Sequence, residues 1–453
     1  MSASSATAAA PQGRFAAFRN PSYLQSSLTL LLFFGSWGIW WSFFQIWLTN
    51  PDSGLGLNGA EVGQIYSVNS IGTMAIMALY GAIQDRLALK KNLAIFTAVI
   101  QTLVGPFAVW VYRPLLEDHF AVGLVLGAVA LSAGFMSAAS MLEALSEKFS
   151  RAFNFEYGQA RMWGSFGYAG VALVAGFLFN IDPALNFWLG SAFGFANLLV
   201  LVFWPTPTER ADADVTADGA PEDKPGPREM LGLLRMKDLW MIIFIVLLTW
   251  TFYTVFDQQM FPDFYTGLFN SKETGQQAYG VLNSVQVFLE AIMMGLVPVL
   301  MRKIGVRNTL LCGFAVMFIR IGGCAVLDGP VAISLIKMLH APEVALCILP
   351  IFRYFTLHFN PRLSATLYMI GFNITSQLGV VAFSPGLGSL RDNIGYQPTF
   401  LIIAGVVGVA AVLGWLLLAK DHEDVNGDPF YRDSELAEIE ARGERPDPRH
   451  PMN

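Results

Sequence analysis

Apolar runs of about twenty residues recur along the whole chain, and no other feature constrains its fold as much. At 1.5 Å per residue a helix of that length crosses a hydrocarbon core of ~30 Å, where backbone groups must satisfy one another. A hydropathy window of about 19 residues places the runs at roughly 27–48, 62–83, 92–112, 120–145, 161–181, 185–205, 238–260, 279–301, 308–327, 331–352, 364–386 and 397–419. Charge supports the same reading: 14% of residues are charged, against about 25% in soluble domains. The chain therefore reads as an all-α membrane protein with twelve transmembrane helices. Cys312, Cys324 and Cys347 fall inside apolar runs, which argues against a disulfide framework. Residues 1–13 are small and polar and lack the apolar core of a cleavable signal.

Lys and Arg orient the spans. With both termini in the cytoplasm, the inner segments hold 22 of the 28 basic residues, and the outer ones only Arg113, Lys272 and Arg391. The expected location is thus the cytoplasmic (inner) membrane, multi-pass, with both termini inside. Residues 206–237, rich in Pro, Asp, Glu and Ala, divide the spans six and six and read as a flexible linker. The resulting plan is an N-terminal segment 1–26, a six-helix bundle 27–205, the linker, a second bundle 238–419, and an acidic tail 420–453 without expected structure. Six plus six about a central loop is the outline of the major facilitator superfamily. GAIQDRLALKK at 81–91 resembles that superfamily's conserved loop after the second helix, with Gly81, Asp85, Arg86 and Lys90 as its switch residues and Ala88 in place of the usual second Gly. Ordinary positive-inside anchoring explains this loop equally well.

Seven charged residues lie within or at the edges of spans: Glu143, Arg161, Asp257, Glu290, Arg320, Lys337 and Glu343, with His340 adding a titratable group. A charge at mid-membrane costs at least ~2.5–3.5 kcal/mol, so the set requires a polar cavity or internal pairing. Any one of them could simply hold helices together; eight together point to a substrate and ion pathway. Pairing Glu143 with Arg161, and Asp257 with Lys337, leaves Arg320 to serve both Glu290 and Glu343. One of those two carboxyls should then be neutral, because burial disfavours an unpaired charge. A carboxyl that gains and loses a proton in a switching cavity is what proton coupling needs. Lys337, His340 and Glu343 are spaced by three and share one broad helical face, and Pro342 should loosen that helix locally. The aromatic run of the first span (Trp37, Trp40, Trp41, Phe43, Phe44, Trp47) reads first as interfacial or lipid-facing, with some rings available to a sugar.

From about residue 18 to 419, apart from the central loop, the chain resembles the oligosaccharide:proton symporter family of the major facilitator superfamily. Within it the likeness is greater to the sucrose permeases than to the lactose permeases. The likeness is carried by FRNPSY at 18–23, WWSFFQIWL at 40–48, EKFSRAFNFEYGQARMWGSFGYA at 147–169, FYTVFDQQMFPDFYTGLF at 252–269, YGVLNSVQVFLEA at 279–291, KMLHAPE at 337–343 and RLSATLYMIGF at 362–372. The resemblance implies a sugar site made of Glu143, Arg161, Ser165, Tyr168, Asp257, Gln258, Gln286, Glu290 and His340. Arg161 would offer a planar fork to sugar hydroxyls and Glu143 would accept from them. It further implies proton coupling through Arg320, His340 and Glu343, with Asp257 and Lys337 as a structural charge pair. Thr254 and Ser376 stand where the lactose permeases carry an Asp–Lys pair, and Val287 where they carry a glutamate. The expected activity is import of sucrose or a related oligosaccharide with a proton, by a transporter rather than an enzyme. No cofactor beyond the coupling proton is expected, no metal and no nucleic acid; the partners would be sugar, proton and lipid bilayer, and the working unit a monomer. A facilitator or drug antiporter, another di- or trisaccharide symporter, and a non-transporting membrane sensor are the competing readings.

Overall fold

A computed structural model describes residues 20–421 apart from 88, 154, 156, 205–235 and 360–366, together with Ala441. Most of the linker and tail expected at 206–237 and 420–453, and most of the segment 1–26, lie outside the described residues. Among the described residues every regular element is helical. The helices are α1 (Pro21–Thr49), α2 (Gly59–Leu87), α3 (Asn92–Thr102 and Val104–Asp118), α4 (Phe120–Ser150), α5 (Tyr157–Ile181), α6 (Ala184–Phe203), α7 (Lys237–Thr266), α8 (Lys272–Ile304), α9 (Val306–Val326), α10 (Pro330–Phe355), α11 (369–394) and α12 (Tyr396–Leu417). Each overlaps one expected span. Ten are long and apolar enough to cross a membrane, and an eleventh is if bent α3 counts as one span. Less apolar is α11, which carries Ser384, Ser389, Arg391, Asp392 and Asn393 towards its C-terminus.

Local chemistry explains the ends and breaks. The Asn20 side chain accepts from the N–H groups of Ser22 and Tyr23 at 3.0 and 3.4 Å, with Pro21 in the first helical position, so Asn20 is the N-cap of α1. Asn20 Nδ2 also donates to the Phe153 carbonyl at 2.7 Å, which ties this cap to the α4–α5 connection. The two halves of α3 are bent by 45°. Pro106 has no N–H for the carbonyl of Thr102 and crowds it, so the helix redirects there. In α10 the regular helix stops at Lys337 and resumes at His340. Pro342 leaves the Met338 carbonyl without its usual donor, and Ala341 N takes it instead at 3.3 Å.

The helices pack as two groups. In the first, α1 lies against α5 and α6, α3 against α6, and α2 against α4; in the second, α9 lies against α10 and α12, and α7 against α11 and α12. The groups meet along α2 with α11 and α5 with α8. A Cβ on Gly63 would lie 2.4 Å from the Ser384 carbonyl oxygen, so the α2–α11 approach requires glycine there. At the end carrying residues 50–58 and 388–395, Asp392 Oδ2 accepts from Gly59 N at 2.7 Å and Ala60 N at 3.3 Å, capping α2 from α11. Nearby, Lys272 pairs with Asp52, and Asn180 Nδ2 donates to the Glu273 carbonyl at 3.0 Å.

The aromatic run of α1 does not face lipid. Trp40, Phe43, Phe44 and Trp47 are buried core residues, because α1 is enclosed by α5 and α6 and touches α7 across the group boundary. The three cysteines are free.

Candidate functional site

Between the two helix groups lies a cavity of about 250 Å³, lined from both sides. Of the residues expected to face a sugar, Arg161, Ser165, Tyr168, Asp257, Gln258, Gln286, Glu290 and His340 line it. Glu143 stands behind Arg161, accepting from its Nε at 2.5 Å. Arg161 Nη1 donates to Ser165 Oγ at 3.3 Å, one turn along α5, and its guanidinium lies 4.3 Å above the Phe34 ring. The pair is therefore held from α4, α5 and α1 while the rest of the guanidinium faces the cavity. Tyr168 is seated by Gly38: a Cβ there would fall 2.7 Å from the ring, so α1 yields space for it.

The second group supplies an ion cluster. Arg320 is fully buried in α9. Its Nε and Nη2 both donate to the Glu343 carboxylate, the latter at 2.8 Å, and its Nη1 donates to Asp257 Oδ1 at 2.8 Å. Lys337 donates to the same Asp257 oxygen. Asp257 belongs to a π-turn, Val255–Met260, whose extra residue re-aims the side chains of α7. His340 Nδ1 lies 3.3 Å from Asp257 Oδ1 without hydrogen-bond alignment, and its Nε2 lies 3.8 Å from Glu290 Oε2. The His340 ring stacks on Tyr253 with centroids 5.7 Å apart. Thus Asp257 and His340 line the cavity, while Arg320, Lys337 and Glu343 lie behind them.

This pairing differs from the one expected from charge counting. Arg320 serves Glu343 and Asp257, not Glu290. Asp257 can hold two cations at once because its π-turn sets it within reach of α9 and α10 together. Glu290, on the cavity face of α8, meets only His340 within ion-pair distance among the titratable groups of the described residues.

Gly81, Arg86 and Lys90 are exposed at the C-terminal end of α2, and the Asp85 side chain lies outside the described residues. Arg307, at the start of α9, is by contrast buried. It donates to the carbonyls of Leu418 and Trp415, closing the C-terminus of α12.

Tyr66, Tyr253, Asn283 and Gln45 also line the cavity and carry no charge to mark them in a sequence. Gln45 is 2% exposed, and neither of its amide atoms has a protein partner. The one available signal was a glutamine inside an aromatic run, WWSFFQIWL. Gln286 Oε1 is likewise buried and unpartnered. Buried amides aimed into a cavity are costly unless a ligand or water completes them. No group of His, Cys, Asp and Glu among the described residues could hold a metal ion.

Residues 15–427 match the profile of a family described as "LacY proton/sugar symporter". The chain is 42% identical to the sucrose permease of Escherichia coli, over 90% of this chain and 96% of that protein. It is 34% identical to the raffinose permease of Escherichia coli, over 89% and 94%, and 34% identical to the lactose permease of Klebsiella oxytoca, over 80% and 86%. Among solved structures it is similar to the nucleoside transporter NupG, with a TM-score of 0.72 at 17% identity over 88% of this chain and 99% of that one. It is also similar to the xylose transporter XylE from E. coli in an inward open conformation, with a TM-score of 0.63 at 14% identity over 89% and 98%.

Proposed function

Because the chain belongs to the LacY proton/sugar symporter family, we propose that it carries sucrose, or an oligosaccharide containing it, together with a proton by alternating access. It is a secondary transporter and a multi-pass membrane protein with the major facilitator fold. The observation that carries the substrate reading is the cavity between the helix groups, where the Arg161–Glu143 pair faces Glu290, His340 and Asp257 across a space edged by neutral amides and phenols. The Arg161 fork can bind two adjacent hydroxyls while Glu143 holds it in place. Gln286 and Glu290 present the acceptors opposite.

Residues 27–205 and 238–419 act as the two rocking bundles, with 206–237 joining them inside the cell. Positive-inside orientation puts the end joined by Asp392 and α2 on the outside, so sugar leaves the cavity towards the cytoplasm in this state. Glu343 is the proton carrier. Its carboxylate, held by two Arg320 nitrogens, represents the stage after proton release. His340 stands between sugar site and ion cluster, and reports occupancy of one to the other. The protein works as a monomer in the cytoplasmic membrane.

Uptake of labelled sucrose into proteoliposomes with and without an inward-directed proton gradient (outside acidic) tests this. Accumulation that needs the gradient, with unlabelled sucrose competing better than lactose, supports the proposal. Equal or stronger competition by lactose refutes the sucrose assignment, and gradient-independent uptake refutes coupling.

A further inference from the structure

A second cavity of about 280 Å³ lies beside the first, between α2, α4, α7 and α11. Trp41, Tyr66 and Gln258 line both, so the two spaces share a wall. Their linings differ in kind. The first is bordered by Arg161, Asp257, Glu290 and His340; among the described residues, no charged side chain lines the second. Its polar groups are neutral amides and hydroxyls, and Trp41, Trp250 and Phe372 add ring surfaces. Asn69 is 3% exposed, and both the oxygen and the NH₂ of its side-chain amide lack a protein partner. Trp37 Nε1, in the same lining, is also buried and unpartnered. Unmet donors and an acceptor inside an aromatic-walled space suit a ligand that is neutral, rich in hydroxyls, and apolar on one ring face. A lipid chain would leave Asn69 unsatisfied, and an ion would find no counter-charge.

We propose that this second cavity is a subsite for one additional neutral hexose unit, so that a trisaccharide spans both spaces past Gln258 while a disaccharide occupies the first alone. The proposal rests on the sugar-transport reading above. Asn69 would donate to and accept from hydroxyls of the added ring, and Trp250 would lie against its apolar face.

The test uses the full chain in proteoliposomes, with raffinose (sucrose bearing one further neutral hexose) as the probe. Binding is read by intrinsic tryptophan fluorescence, and competition by labelled sucrose uptake. In the unaltered protein raffinose should bind and compete at least as well as sucrose. Asn69→Leu should weaken raffinose about tenfold, the scale of one or two lost hydrogen bonds, and leave sucrose within about twofold. Asn373→Leu, from the α11 side of the same lining, should produce the same split and guards against misfolding of the first variant. Raffinose that fails to compete in the unaltered protein overturns the subsite and leaves sucrose transport standing. Equal loss of both sugars in both variants, or unchanged raffinose affinity in either, also overturns it. Absence of sucrose uptake by the unaltered protein refutes the transport reading itself, and the subsite falls with it.

Discussion

Arg161 is held by Glu143 at Nε, by Ser165 at Nη1 and by the Phe34 ring beneath, with its guanidinium on the cavity wall where a sugar can meet it. Arg161→Lys keeps the charge and the ion pair but loses the fork. It should fold normally and bind sucrose about 10- to 100-fold more weakly, the range for losing one charge-assisted contact; sucrose affinity equal to the parent protein would remove Arg161 from the site. Glu343 makes the complementary case. Its carboxylate is fully buried and doubly bonded to Arg320. Glu343→Gln mimics the protonated form, so it should still exchange sugar across the membrane yet fail to accumulate it. Sustained accumulation by this variant would transfer the proton to Glu290, the rival carboxyl. These positions were legible in the sequence because a charge inside an apolar run stands out. Gln45 and Asn69 were not, since a neutral amide in such a run does not reveal whether its partner is a neighbouring helix or an empty cavity.

Helices were legible wherever an apolar run had the length of a bilayer, and Pro342 marked the break in α10, whereas the bend in α3 at Pro106 emerged only from the structure. The π-turn in α7 was not, because it arises from how Asp257 must be aimed at two neighbouring helices and leaves no local pattern. Two predictions belong to helix pairs. Thr254 on α7 and Ser376 on α11 line the same cavity, and Thr254 Oγ1 merely folds back on the Trp250 carbonyl at 2.8 Å. Thr254→Asp alone should impair transport by burying an unpaired charge, at a cost of about 3–5 kcal/mol, and adding Ser376→Lys should restore it; equal defects in the single and double variants would show that the positions do not meet. The second concerns the cap that α11 places on α2. Asp392→Ala removes the acceptor of Gly59 and Ala60 and should loosen the joined end. With Cys312 replaced by Ser, Ser165→Cys should then react with an outside, membrane-impermeant maleimide about 5- to 10-fold faster, the factor for ~1–1.4 kcal/mol; an unchanged rate would mean that Asp392 does not hold this end closed.

At the scale of the whole molecule, the two groups are joined along α2–α11 and α5–α8, with the cavity-facing Arg161 in one and the ion cluster in the other. Three cations, Arg161, Arg320 and Lys337, stand with four carboxylates, Glu143, Asp257, Glu290 and Glu343. Arg161 matches Glu143, and the Arg320–Lys337 pair matches Asp257 and Glu343, which leaves Glu290 over. With Glu290 ionised, the empty carrier would bear one net negative charge through its core, and a bound proton would cancel it, whichever carboxyl receives it. The reorienting element would then be electrically silent when loaded and charged when empty. Membrane potential should therefore act on the empty return, by up to about 2.3 kcal/mol per 100 mV. An applied potassium–valinomycin potential should leave sugar exchange unchanged while altering net uptake severalfold. Voltage-sensitive exchange would show that the loaded carrier bears charge after all. An inside-negative cell would then draw on its voltage chiefly to bring the vacant binding site back to face outward.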